Sequence, residues 1–145
     1  RLCDVAAENV KEVPMELKVL WIDAESLRDW IVVLNRFEKT NSTIPLQITQ
    51  EESLDPEKVL DQCSGKQVIV VNSGNPPFNR VRKLLQKIRK KHPKTAIGIV
   101  GKEAPLLEDL GDFIYAERPL FLDEMDELKA CITEASRNGS KEGRE

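Results

Sequence analysis

The chain has 145 residues, 40% hydrophobic and 32% charged, with a net charge of −3, the size and balance of one globular domain. No apolar run approaches the roughly 18 residues that a membrane span needs, so a membrane partner is not expected. Residues 1–16 carry acids and no apolar centre, which argues against a secretory signal or a transit peptide, and an opening Arg1 in place of Met suggests a piece of a longer chain.

Cys3, Cys63 and Cys131 are odd in number, far apart and form no C-x-x-C pair, so the sequence indicates neither a disulfide framework nor a zinc site. A reducing cytoplasm is the expected location, with no cofactor or metal. Charge is unevenly spread. Eight Lys and Arg and no acid fall between Arg80 and Lys94, whereas ten acids face three bases between Lys102 and Glu134, so a basic flank and an acidic flank are expected.

In chain order, Leu17–Ile22 is a short apolar run that stops at Asp23, as a buried parallel strand does. Leu27, Trp30, Ile31, Leu34 and Phe37 then recur at helical spacing until 41–45 break the pattern. Leu46–Thr49 predicts a second strand. Asp55-Pro56 opens a helix with a capping side chain and Pro at its first position; Val59, Leu60 and Cys63 give its apolar face and Ser64-Gly65 its end. Gln67–Val71, rich in β-branched residues, is the central strand. Val81, Leu84, Leu85 and Ile88 predict a helix over Phe78–Lys91, closed before Pro93. Ala96–Val100 is a fourth strand, Ala104–Leu110 a short helix and Phe113–Tyr115 a fifth strand. Met125, Leu128, Ile132 and Ala135 line a last helix before a polar, disordered tail. The expected organisation is an arm over 1–16, a domain over 17–136 and a tail over 137–145.

Five strands alternating with helices over short connections predict a parallel α/β sheet with helices on both faces. Function in such sheets gathers at the carboxyl ends of the strands, here Asp23, Asn72, Gly101 and Glu117-Arg118.

At those ends the chain resembles the receiver domains of response regulators, over roughly Glu16 to Ser136. Val19-Leu20-Trp21-Ile22-Asp23-Ala24-Glu25 resembles the first strand and its acids, Asn72 with Pro76 the phosphoacceptor and its trailing proline, and Glu117-Arg118-Pro119 the Lys-Pro closing the fifth strand. The resemblance implies an aspartate nucleophile, a magnesium ion held by carboxylates, a strand-four hydroxyl and a lysine. Asp23 retains one acid, but Ala24 offers no ligand atom, Asn72 no nucleophile, Val100 no hydroxyl, and Arg118 stands where the lysine belongs. The resemblance is therefore to a degenerate member, a pseudo-receiver, and it implies a flavodoxin-like (CheY-like) three-layer α/β sandwich with five parallel strands in the order 2-1-3-4-5. It also implies a non-catalytic regulatory module of two-component type that is not phosphorylated at the usual position and acts through protein contacts.

Several residues carry both a structural and a functional reading. Asp23 caps the following helix or serves partner or ion binding, and Arg118 pairs with Asp23 across the emptied pocket. Tyr115 is a packed edge-strand aromatic or, by resemblance, a switch. Ser73, Ser64 and Thr49 lie near loops where a hydroxyl could take a phosphate. His92, without a ligand or nucleophile nearby, is a helix-end residue. Arg80, Lys83, Lys87 and Lys90 belong to a solvated helix face or an anion dock, which gives the alternative function of an anion- or nucleotide-sensing domain, a cyclic dinucleotide for example, using Arg118 and the basic helix. Leu120, Phe121 and Leu122 sit within the acidic flank as a candidate protein-binding patch. The partner expected is a protein, neighbouring domains of a longer chain or a second copy. With an acidic total, 5% aromatics and no recognition motif, nucleic acid is not expected to be read by this domain alone.

Overall fold

The computed structural model describes residues 17–23, 46–74, 78–117 and 121–139. Among these, five strands form one parallel sheet: β1 (Leu17–Ile22), β2 (Leu46–Glu51), β3 (Val68–Asn72), β4 (Ala96–Val100) and β5 (Phe113–Tyr115), in the order β2-β1-β3-β4-β5. The helices are α1 (Pro56–Cys63), α2 (Phe78–Lys91) and α3 (Leu122–Asn138), with a 3-10 helix over Ala104–Leu110. This is the flavodoxin-like architecture expected. The helix expected around Leu27–Phe37 lies outside the described residues.

The period-two alternation of strand side chains divides the core in two. Leu17, Val19 and Trp21 of β1, Val68 and Val70 of β3, and Ala96 and Val100 of β4 pack with Met125, Leu128, Ile132 and Ala135 of α3. Their neighbours Leu20, Ile22, Ile69, Val71, Ile97 and Ile99 face the other way, onto Val59 of α1, Val81, Leu84, Leu85 and Ile88 of α2, and Leu107. Helices on both faces exclude water from both, so the strands need apolar residues at every position; β3 and β4 are buried throughout.

Element ends differ from expectation where a hydrogen bond outweighs composition. β2 runs two residues further, to Glu51, because its register with β1 continues to Ile22 and the Glu51 carbonyl accepts the Asp23 N–H at 2.9 Å. Asp55 caps α1 as expected, accepting the Glu57 N–H at 3.1 Å. The last helix continues to Asn138, past the expected boundary at 136; it stops at Gly139, whose φ of 68° turns the chain while its N–H reaches the Ala135 carbonyl at 2.8 Å.

Arg89, one of the eight cations of the expected basic flank, is instead buried. Its guanidinium donates to Asp112 Oδ2 at 2.9 Å and to the carbonyls of Leu110 at 3.0 Å and Thr95 at 3.2 Å, while the same Asp112 oxygen accepts the Ile97 N–H at 2.7 Å. A planar fork with five donors suits such a site, where a charge stays buried only if paired and hydrogen-bonded. The cluster ties the end of α2 to the starts of β4 and β5. At the end of α1, burial pushes the Cys63 thiol up to about 12 against the opposing pull of Lys66 and Lys91, the behaviour of a packed thiol rather than a reactive one.

A glycine in a central strand loses packing and β propensity, so Gly98 calls for a local cause. Gly98 is in register with Phe113 of β5, and a Cβ built on it falls 2.1 Å from the nearest ring carbon. The ring lies across the bare backbone. Gly98→Ala is expected to cost about 1–3 kcal/mol in urea denaturation. Combining it with Phe113→Leu should recover part of that loss as a coupling term.

Candidate functional site

Because β1 and β3 are adjacent and parallel, with Ile22 beside Val71, the residues that follow, Asp23 and Asn72, meet at the carboxyl edge of the sheet. Asp23 is 0% and Asn72 7% exposed, and the two side chains bond directly: Asn72 Nδ2 donates to Asp23 Oδ2 at 2.8 Å. Asn72 Oδ1 accepts the Gly74 N–H at 2.9 Å. That second contact fixes the orientation of the amide, since a backbone N–H selects the oxygen and leaves the NH₂ to face the carboxylate.

The neighbouring backbone closes over this pair. The Ser73 N–H donates to the Val100 carbonyl at 2.7 Å, and Ser73 Oγ accepts the Glu103 N–H at 3.1 Å. Gly101 has φ of 104°, and a Cβ there falls 2.6 Å from Asn72 Oδ1 and 2.8 Å from Ser73 Oγ. Both the left-handed conformation and the close approach require glycine. Ser73, expected as an accessible hydroxyl, is buried and already bonded, which removes it as an open phosphorylation site. Neither Ser73 nor Gly101 announces this role in sequence, because their contacts come from strands brought together by the sheet.

Val100 lies at the end of β4 in register with Asn72, and its side chain belongs to the core, so the strand-four position contributes methyl groups only. Ala24, Arg118, Leu120, Pro76 and Pro119 lie outside the described residues, as does the side chain of Leu122; the expected Asp23–Arg118 pair is among them. The described residues by themselves do not fit the magnesium ion that the resemblance implies. A hard cation needs several converging oxygens, whereas Asp23 Oδ2 faces an N–H donor, and no cluster of three or more His, Cys, Asp or Glu occurs among the described residues.

Tyr115 is half-buried, and its hydroxyl donates to the Glu124 carbonyl at 3.1 Å, tying β5 to the first turn of α3. Burial, then the negative charges of Glu127 and Glu124, with lesser contributions from Cys131 and Asp123, push its phenol up to about 12. Farther out, Phe121 is 67% exposed and Leu106 64% exposed. Arg80, Lys83, Lys87 and Lys90 are exposed along α2, and Arg82 pairs with Asp109 at 2.8 Å.

No family model matches the chain, and no curated protein matches it in sequence. Solved structures do match its fold. A response regulator from Thermotoga maritima aligns with a TM-score of 0.62 at 16% identity, over 82% of this chain and 98% of its own. A response regulator receiver protein from Sinorhizobium medicae aligns with a TM-score of 0.55 at 20% identity, over 83% and 97%. NtrX from Brucella abortus aligns with a TM-score of 0.60 at 16% identity over 85% of this chain, which spans only 27% of NtrX. The chain therefore has the fold of receiver domains.

Two outcomes follow from this geometry. Asn72→Asp replaces a donor to Asp23 by a second carboxylate in a buried site, so it is expected to lower stability by about 1–3 kcal/mol at pH 7. The gap from the parent should narrow at pH 4, where one carboxyl can take up a proton; urea midpoints at both values test this. The chain contains a single tyrosine, so absorbance near 295 nm reads Tyr115 alone. Its midpoint should lie near 12 in the folded protein and fall to about 10 in denaturant. Since folding holds the phenol protonated, the associated stability is complete below pH 10 and is lost as pH rises towards 12.

Proposed function

We propose that this chain is a pseudo-receiver, a regulatory signalling domain with the receiver fold whose phosphoacceptor position has been converted into a fixed internal contact. The observation that carries this reading is the 2.8 Å hydrogen bond from Asn72 Nδ2 to Asp23 Oδ2, with Asn72 Oδ1 engaged by Gly74. A neutral amide does not attack phosphorus, and its oxygen, the one atom that could ligate a cation, already accepts the Gly74 N–H. Here the amide also holds the carboxylate that remains. The strand tips are thereby pinned in one arrangement without an incoming phosphoryl group, and signalling rests on surfaces that are already set. Phe121 and Leu106, both largely exposed, are the apolar residues that such a surface offers to a protein partner. The likeness in fold to response regulator receivers supports a place in regulation rather than in metabolism.

The reading is tested by incubating the chain with acetyl phosphate and magnesium and following intact mass. No phosphoryl adduct is expected, and none with Asn72→Asp alone, because Val100 still lacks the hydroxyl that the reaction uses. An acid-stable adduct would point to a serine or threonine. An acid-labile adduct on an aspartate of the parent chain would overturn the proposal.

A further inference from the structure

The eight cations between Arg80 and Lys94 are not equivalent in three dimensions. Arg89 is buried against Asp112 and Arg82 reaches Asp109. Those that remain on α2, Arg80, Lys83, Lys87, Lys90 and Lys91, are all exposed. At about 100° per residue they fall within about 100° of arc, one stripe running about 16 Å along the helix. On α3 the exposed residues Asp123, Asp126, Glu127, Ala130 and Glu134 fall within a similar arc over the same 11-residue interval, with one exposed base, Arg137, on that line in the last turn beyond it. Ala130, a small side chain, sits at the middle of that acidic stripe. The buried faces of α2 and α3 pack against opposite sides of the sheet, so the two stripes point away from each other and cannot neutralise one another within one molecule.

We infer that the basic stripe of α2 docks the acidic stripe of α3 in a second copy of this chain, a head-to-tail contact. The charge distributions match best with the helices antiparallel. Lys87, Lys90 and Lys91 then meet Asp123, Asp126 and Glu127, while Arg80 and Lys83 meet Glu134. The same orientation sets the carboxyl end of one helix dipole beside the amino end of the other. A second copy is favoured over nucleic acid because its acidic stripe has the required length and spacing, whereas a chain of net charge −3 repels a polyanion outside the basic face. A contact between different faces does not close on itself in a dimer, so it builds chains that lengthen with concentration. The inference is independent of the reading of the Asn72 site, since neither stripe includes a residue of that site.

Sedimentation velocity of the full 145-residue chain tests it. At about 0.01 M salt, where charges act over about 30 Å, the sedimentation coefficient should rise with concentration past that of a dimer; at about 1 M salt it should fall to that of a monomer. Lys83→Glu/Lys87→Glu and Glu127→Lys/Glu134→Lys are each expected to stay monomeric at low salt. All four positions are exposed, so both variants should keep the parent's thermal transition. An equimolar mixture of the two variants should associate again, because each supplies the face the other has lost. The inference is overturned if the parent stays monomeric at low salt, if it forms a salt-insensitive dimer, if either variant associates as the parent does, or if the mixture stays monomeric. It is equally overturned if the parent stays monomeric yet binds a single-stranded DNA oligonucleotide through Lys83 and Lys87.

Discussion

Everything at the carboxyl edge depends on β1 and β3 lying side by side, parallel and in register at the centre of the sheet. That pairing delivers Asp23 and Asn72 to the same point. Two carboxylates there would repel unless a cation or proton came between them; a carboxylate and an amide instead bond directly, and the second amide atom takes the Gly74 N–H. Asp23 Oδ2 and both polar atoms of the Asn72 amide are thus engaged by protein groups. The buried position adds weight to each contact, because a polar group removed from water without a partner costs about 1–3 kcal/mol.

The same neighbourhood shows why backbone and side-chain chemistry are inseparable at strand tips. Gly101 leaves room for Asn72 Oδ1 and Ser73 Oγ only because it lacks a Cβ and holds φ of 104°. Ser73 gives its N–H to β4 and its oxygen to Glu103, linking β3 to the entry of the 3-10 helix. At the opposite end of the strands, Arg89 and Asp112 perform a comparable task, gathering the carbonyls of Thr95 and Leu110 and the N–H of Ile97 into one buried cluster. Both edges of the β3–β4–β5 half are fixed by polar groups, and the apolar layers lie between.

The charged flanks show how a linear count becomes a surface. Eight bases in fifteen residues read as a uniform basic segment, yet two are used internally by Asp109 and Asp112. The helical period sorts the exposed remainder of α2 onto one line. Lys129 of α3 is likewise buried, so the exposed charges of that helix before its last turn are all acidic, with Arg137 following at its end.

The sequence by itself determined the fold class, the helix over about Phe78–Lys91, the Asp55 cap and the amide rather than a carboxylate at position 72, because hydrophobic period, capping chemistry and residue identity are local properties. It also located Asp23 and Asn72 at strand ends. Only the tertiary structure decided that these two bond to each other, that Ser73 is enclosed, that Arg89 is a core residue rather than a surface cation, and that Gly98 exists to receive the Phe113 ring. Each of those facts joins elements far apart in the chain, and a residue's own neighbours in sequence do not say which distant strand will be packed against it.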